Sequence, residues 1–278
     1  MFKGYNLDLS KKENQSFLNV NDVDIINFEK EMEVLKAILQ SKIDKKTLLP
    51  RTTDNKIDGS KLINDWFPNY EADIFISHSH LDTRTAKRLA CWLKNTFNLT
   101  VFIDSTIWGS VDELLNKIDN KYSVLRKDKD GGTTYNYKTR NYTTSHVHMM
   151  LSTALVDIMN STECIFFLNT PASLAVNEVK DRKTNSPWIY NELKIASIIE
   201  KKHPREEILR KQFEQRASIF NEQEKLEILY PVNQELAIFD NLEIEHLERW
   251  ADCYDNSTDN SHPLDILYFK NKLMSRKE

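Results

Sequence analysis

Glycine, proline and cysteine are all scarce in this chain of 278 residues. The 5 glycines and 7 prolines are too few for long flexible or extended linkers. The 3 cysteines, Cys91, Cys164 and Cys253, are odd in number, lie far apart and form no CxxC pair. This usage is typical of buried thiols in a reducing, cytoplasmic compartment.

A strong net charge and long apolar runs are missing as well. The net charge of -4 does not favour a nucleic-acid-binding surface, because such domains are usually basic. The densest apolar run, Ile165–Leu168, is far too short to span a bilayer, and the amino terminus lacks the apolar core of a signal peptide. With 40% hydrophobic residues, the composition predicts a soluble cytoplasmic globular protein without membrane or nucleic-acid partners.

Residues 1–70 are predicted to form a helical N-terminal extension. Within the helix expected over residues 22–43, apolar residues recur at intervals of three and four and draw one stripe. Such a stripe serves either oligomerisation or packing on the chain's own domain, and its short length favours packing. Its members are Ile25, Phe28, Met32, Leu35 and Leu39.

From residue 71 to 278, short apolar strands alternate with amphipathic helices, and helices close the chain. This order predicts an α/β domain with an open parallel sheet and helices on both faces. The unbroken apolarity of Cys164–Leu168 suits a central strand that is covered on both faces. Residues 128–144 hold few apolar residues and a glycine pair, so they are interpreted as a loop or a small hairpin, and they lie within an insertion near 120–144. The expected strands are residues 72–77, 100–103, 164–168 and 226–232.

One predicted helix carries an acid on its apolar face. Ser186 is a good N-cap residue and Pro187 suits the first helical position. At 100° per residue, Glu192 falls in the middle of the inward face, with Trp188 one turn before it. An inward carboxylate is costly unless it is paired or used, so Glu192 is a candidate for a buried ion pair or a functional site. The neighbouring tryptophan favours the site, because aromatic rings bind flat cationic groups.

Several segments then resemble TIR (Toll/interleukin-1 receptor) domains. Residues 73–78 (DIFISH) resemble their opening strand. Residues 101–104 (VFID), with the loop that ends at Trp108 and Gly109, resemble their second strand and BB loop. Residues 186–193 (SPWIYNEL) resemble the segment that carries the glutamate of NAD-cleaving members. Residues 229–232 (LYPV) resemble a late strand. The resemblance covers about residues 71–232, implies a flavodoxin-like fold and leaves residues 1–70 unexplained.

The resemblance implies cleavage of the bond between nicotinamide and ribose in NAD⁺. The implied products are nicotinamide and either ADP-ribose or a cyclic ADP-ribose isomer. The implied role is antiviral defence, in which a separate effector responds to the nucleotide product. NAD⁺ is a substrate here and no cofactor is expected, since the sequence has neither a GxGxxG nor a Walker-type loop. Self-association through the BB loop and adjacent helices is the implied assembly.

The resemblance also assigns roles to individual residues. Glu192 is the expected catalytic residue, since a carboxylate near the ribose stabilises positive charge that develops on the sugar. The expected substrate-binding residues are Ser77 and His78 at the end of the first strand, Trp188 beside the nicotinamide, and a mobile gating loop of residues 104–109 with Asp104, Trp108 and Gly109.

Two alternatives remain at this point. His78, His80 and Asp82 form an H-x-H-x-D string that resembles part of the metal motif of metallo-β-lactamase-like zinc hydrolases. The further histidine of that motif is replaced by Thr83, and no metal site is predicted. The second alternative is a non-enzymatic TIR scaffold that acts by self-association, for which no glutamate is needed at position 192.

Overall fold

The computed structural model describes residues 2–9, 20–40, 49–108, 110–127, 132–174, 182–199, 201, 230–257 and 261–274. The described strands are β1 (Lys3–Asp8), β2 (Ile74–Ser77), β3 (Val101–Phe102), β4 (Val124–Lys127), β5 (Thr133–Tyr135), β6 (Cys164–Asn169), β7 (Lys183–Thr184), β8 (Tyr230–Pro231) and β9 (Asp240–Leu242). The described helices are α1 (Asp22–Gln40), α2 (Gly59–Trp66), α3 (Thr83–Phe97), α4 (Asp104–Ile107), α5 (Val111–Tyr122), α6 (Tyr137–Ser161), α7 (Pro187–Ile198), α8 (Asn233–Ala237), α9 (Ile244–Asp255) and α10 (Pro263–Met274).

The chain divides into two compact units. One contains Met1–Phe28, Ala72–Ile103 and Met159–Glu278 and is called the sheet unit here. The other contains Glu29–Glu71 and Asp104–Ile158 and is called the helical unit. The division falls within α1 and α6, which each contribute residues to both units.

The sheet unit is built on a five-stranded sheet with the order β3-β2-β6-β1-β9, in which all neighbours are parallel. Because side chains alternate between the faces of a strand, the complete burial of β2 and β6 means that both faces are covered. The predicted α/β class and the central position of β6 are therefore confirmed.

Strand β1 corrects the prediction that residues 1–70 form a helical extension. It lies between β6 and β9, with Tyr5 opposite both Phe166 and Asp240. The strand was missed because only Tyr5 and Leu7 are apolar in it, whereas a buried parallel strand usually has an unbroken apolar run. Gly4 lies on the other face of β1, where an added Cβ would lie 2.9 Å from the Phe239 ring.

The prediction of a late strand over residues 226–232 is also corrected. Residues 226–229 lie outside the described residues, and Tyr230–Pro231 forms β8, which pairs antiparallel with β7 in a separate two-stranded sheet. The sequence also predicts a helix over residues 205–225, which lie outside the described residues. The fourth position of the main sheet, counted from β3, is therefore occupied by β1.

In the helical unit, the stretch near 120–144 is a hairpin followed by a helix. Strands β4 and β5 pair antiparallel, which confirms the expected hairpin. Residues 137–144 belong to α6, however, and this corrects the prediction of a loop there. Asn136 starts this helix, because its side chain accepts a hydrogen bond from the Thr139 amide at 3.1 Å. That capping signal is present in the sequence, but the scarcity of apolar residues masked it.

Candidate functional site

The candidate site begins with α7, whose first turn is set by two residues. The Ser186 hydroxyl accepts from the Ile189 amide at 3.2 Å, and Pro187 occupies the first helical position, as the sequence predicts. The buried residues of the helix are Ile189, Glu192, Leu193, Ile195 and Ala196. The projected inward face is thus confirmed, and Glu192 lies on it.

Glu192 is held by a serine from the sheet. The Ser77 hydroxyl, at the last position of β2, donates to Glu192 Oε2 at 2.6 Å. Ser77 is 1% exposed and Glu192 is 6% exposed, so this charge-assisted hydrogen bond is largely shielded from water. Two residues that were predicted to belong to one site, 115 positions apart in the chain, are therefore in direct contact.

The Ser77 side chain is occupied by its contact with Glu192. A hydroxyl that donates to a buried carboxylate fixes the orientation of that carboxylate, and a side chain that is 1% exposed has almost no surface for a ligand. The substrate contact expected of Ser77 stays a prediction, and the contact that the structure describes is the one with Glu192. The pairing could not be read from the sequence, since it depends on how α7 packs on β2.

The Ser77–Glu192 pair lies where ligands bind in open parallel sheets. After β2, the next strand of this sheet along the chain is β3, which lies toward one edge. After β6, the next strand of this sheet is β9, which lies at the opposite edge. Such a reversal of strand order opens a crevice outside the carboxyl ends of the two strands. Ser77 is the last residue of β2 and Asn169 the last of β6, so the pair lies at this reversal.

A second polar network lies at the same edge, and no sequence pattern indicated it. The Thr170 hydroxyl donates to Asp82 Oδ2 at 2.6 Å, and Ser173 Oγ donates to the Leu168 carbonyl at 2.8 Å. Asp82 is 6% exposed and Thr170 is 1% exposed. The network ties the segment after β2 to the segment after β6, and so it fixes the two strand ends relative to each other.

The same contact bears on the zinc alternative. Asp82, the acid of the H-x-H-x-D string, is buried against Thr170, whereas His80 is exposed. Among the described residues, no group of three or more histidine, cysteine, aspartate or glutamate side chains is arranged to hold a metal ion. Asp82 of the string therefore joins the segment after β2 to the segment after β6.

His78 and Trp188 are partly accessible residues close to the pair in the sequence. His78 follows Ser77 and is half-buried, with its Nδ1 at 3.3 Å from the Ile76 carbonyl oxygen. Trp188 is half-buried on α7, one helical turn before Glu192. Both keep exposed surface, which a substrate-binding residue needs and which Ser77 lacks.

The other predicted substrate-binding residues belong to the helical unit. Asp104 starts the short helix α4, which corrects the expected mobile loop over residues 104–107. Trp108 is 4% exposed, and its indole N–H donates to the Pro68 carbonyl at 3.1 Å. Its ring also packs edge-to-face on Phe67. Trp108 is thus a core residue of its unit, and Gly109 lies outside the described residues.

The helical unit has its own buried carboxylate, which no sequence pattern singled out. Asp119 is 1% exposed and accepts hydrogen bonds from Ser123, Thr143 and the Arg140 guanidinium, the last at 3.2 Å. These donors come from the end of α5 and the start of α6. A carboxylate with two hydroxyl donors and a guanidinium is a structural cross-link between helices.

The described helices include none that is long and apolar enough to cross a membrane. Comparisons of the chain with protein-family models, with curated proteins and with solved structures find no match in any of the three.

Proposed function

We propose that this chain is a TIR-type NAD⁺ glycohydrolase or ADP-ribosyl cyclase in which Glu192 is the catalytic carboxylate. The observation that carries the proposal is the buried Glu192 carboxylate, bonded to Ser77 at the carboxyl edge of a parallel sheet. One partner of this acid is a neutral hydroxyl, which orients the carboxylate without neutralising its charge. An oriented negative charge at this edge is suited to stabilise a cationic transition state.

The proposed reaction breaks the bond between ribose C1′ and the nicotinamide nitrogen. The bonding electron pair goes to the positively charged nicotinamide ring, which leaves as a neutral molecule and needs no general acid. The ribose becomes oxocarbenium-like, and Glu192 stabilises the positive charge that develops on it. Water then adds at C1′ and loses a proton to give ADP-ribose, or an adenine nitrogen of the same molecule adds to give a cyclic isomer.

Support for the TIR assignment comes from the first three strands after residue 71. They form the order β3-β2-β6, which is the 2-1-3 order that opens flavodoxin-like sheets. The chain departs from that pattern at the next position, which is occupied by β1 from the amino terminus. The proposal therefore describes a variant of the fold in which an N-terminal strand replaces a later one.

Two further roles belong to the same proposal. His78 and Trp188 border the substrate, with the tryptophan on the nicotinamide side. The nucleotide product acts as a signal for a separate effector in antiviral defence. Both rest on the resemblance of residues 73–78 and 186–193 to NAD-cleaving TIR domains.

The test is release of nicotinamide from NAD⁺ by the purified full chain, measured by liquid chromatography with mass spectrometry. Glu192→Gln keeps the shape of the side chain and its hydrogen-bonding capacity but removes the charge. We expect its turnover to fall by about 10²- to 10³-fold, the usual cost of losing one electrostatic stabiliser. The same chromatogram identifies the nucleotide product as linear or cyclic.

The matched control is Glu235→Gln on α8. Glu235 is 5% exposed and its carboxylate binds Lys194 at 3.1 Å, so it is a second buried glutamate of the sheet unit. Its amide variant is expected to keep turnover within about threefold, since its charge is already paired. Equal release by the Glu192→Gln and wild-type proteins would remove Glu192 from catalysis. No release at any protein concentration, including after forced assembly, would refute the enzyme and favour the scaffold.

A further inference from the structure

Helix α1 has two unlike faces. Ile25 and Phe28 are 6% and 5% exposed, so the chain itself covers the side of α1 on which they lie. This confirms the packing interpretation for those two members of the predicted stripe. The opposite side, called the outer face of α1 here, carries exposed residues at helical spacing: Val23, Ile26, Lys30, Glu33, Val34 and Ala37.

The outer face holds large apolar side chains that a solvent-facing helix does not need. Val23 is 62% exposed, Ile26 is 47% exposed and Val34 is 60% exposed. They follow one another along a single side of the helix, which distinguishes them from apolar residues scattered over a surface.

The start of α1 is fixed by polar contacts. Asn21 and Asp24 cap the helix reciprocally: the Asp24 amide donates to Asn21 Oδ1 at 2.9 Å, and the Asn21 amide donates to Asp24 Oδ2 at 3.3 Å. Asp22 then binds the Arg84 guanidinium at 2.8 Å. The helix therefore begins at a defined point.

The charges on the outer face are arranged so that they complement a second copy in one direction only. Lys30 and Glu33 lie one turn apart, with Ile26 before them and Ala37 after them. In an antiparallel pair with its two-fold axis between residues 31 and 32, Lys30 faces Glu33 of the second copy and Ile26 faces Ala37 of the second copy. In a parallel pair, each lysine faces a lysine and each glutamate faces a glutamate. We propose that the outer face of α1 is a self-association surface on which a second copy of this chain packs its own α1 antiparallel.

The predicted association is reversible. The face runs about 21 Å from Val23 to Ala37 at 1.5 Å per residue. One helix pair of that length buries less than the roughly 1,200 Å² at the lower end of stable interfaces, so the dimer dissociates on dilution. Since its charge pairs are exposed, it also weakens with added salt. This surface is distinct from the proposed catalytic site, and its test needs no activity.

The experiment is sedimentation equilibrium of the full chain at low salt. Lys30→Glu sets an acid against Glu33 of the second copy, and Glu33→Lys sets two lysines against each other. We expect each single variant to weaken the dimer by about tenfold or more, since attraction becomes repulsion at two symmetric pairs. The double variant, K30E together with E33K, restores the attraction and the dimer. Lys36→Glu makes the same charge change off the outer face and leaves the dimer unchanged.

Mixing the two single variants is the decisive step. Lys30→Glu chains carry two acids on the face and Glu33→Lys chains carry two bases, so a mixture forms a heterodimer although neither variant pairs with itself. An effect of the substitutions on helix stability within one chain would not produce that result. A mixture that stays monomeric beside a dimeric wild type overturns the proposal, as does a wild type that is monomeric at every concentration. Undiminished association of both single variants overturns it too, since another surface would then be responsible.

Discussion

Each of the two units buries a carboxylate, and the two acids differ in where they lie and in what they join. Glu192 of the sheet unit is 6% exposed and accepts from the Ser77 hydroxyl. Asp119 of the helical unit is 1% exposed and accepts from two hydroxyls and from Arg140. Burial alone therefore does not distinguish a functional acid from a structural one.

The two acids differ in where they lie in the fold. Asp119 joins the end of α5 to the start of α6, and its arginine offsets the cost of placing a charge away from water. Glu192 lies at the carboxyl edge of a parallel sheet, beside the reversal of strand order. We infer that Asp119 contributes to stability and that Glu192 contributes to catalysis.

The largest expected effect is that of Asp119→Ala on stability. The substitution leaves Ser123, Thr143 and Arg140 without their common acceptor, and we expect the free energy of unfolding to fall by about 2–4 kcal/mol. Urea titration followed by circular dichroism measures it. Asp157→Ala removes an exposed aspartate of α6 and serves as the control, with a change within about 0.5 kcal/mol. Equal losses in the two variants would show that the cluster is not a cross-link.

The next prediction compares two serines that each donate to a buried carboxylate. Ser77→Ala removes a donor from Glu192, and Ser123→Ala removes one from Asp119. We expect Ser77→Ala to lower kcat for NAD⁺ cleavage by about tenfold with KM within about twofold, because a positioning residue acts on the carboxylate and not on substrate binding. Ser123→Ala should lower stability by about 1 kcal/mol and leave kcat unchanged. If Ser123→Ala lowered kcat and Ser77→Ala lowered only stability, Asp119 would be the catalytic acid and Glu192 the structural one.

The last prediction concerns the amino edge of the sheet, where Cys164 and Tyr268 lie. Burial, with Glu163 nearby, raises the pKa of the Cys164 thiol well above 9.0. Burial, followed by Cys164 and Glu163, raises the pKa of Tyr268 above its ordinary value of 10.0. Both groups keep their protons to a higher pH in the folded chain than in the unfolded chain, where they ionise at their ordinary pKa. Their contribution to the free energy of unfolding is therefore complete below about pH 9. It is lost as the pH rises further, by up to roughly 1.4 kcal/mol per pH unit for each group.

The measurement is the free energy of unfolding in urea between about pH 8 and pH 11, the range in which both groups ionise in the unfolded chain. Tyr268→Phe removes one of the two groups, so its alkaline decline should be shallower than that of the wild type. Tyr137→Phe removes an exposed tyrosine, 78% accessible, and should leave the decline unchanged. If the Tyr268 variant declined as steeply as the wild type, the buried hydroxyl would have no part in the pH dependence.

Sequence patterns predicted the elements whose residues carry a strong local signal. The helical period and the Ser186-Pro187 start predicted α7 and its buried face, and the unbroken apolar run predicted β6. Strand β1 was missed because its Gly4 and Asn6 look unlike a buried strand. The reasons for these two residues are tertiary: the Asn6 side chain donates to Asn241 at 3.1 Å, and the Phe239 ring packs against Gly4. Both reasons lie more than 230 positions away in the chain.

The sequence by itself determined that Glu192 is an acid on an apolar helical face, because helical periodicity is a local property. Only the tertiary structure decided that Ser77 holds this acid, that Asp82 braces two loops, and that Trp108 belongs to a core. The cost of burying a polar group is offset by whichever donor the packing brings within about 3 Å. That donor follows from how distant elements pack, and no spacing along the chain specifies it.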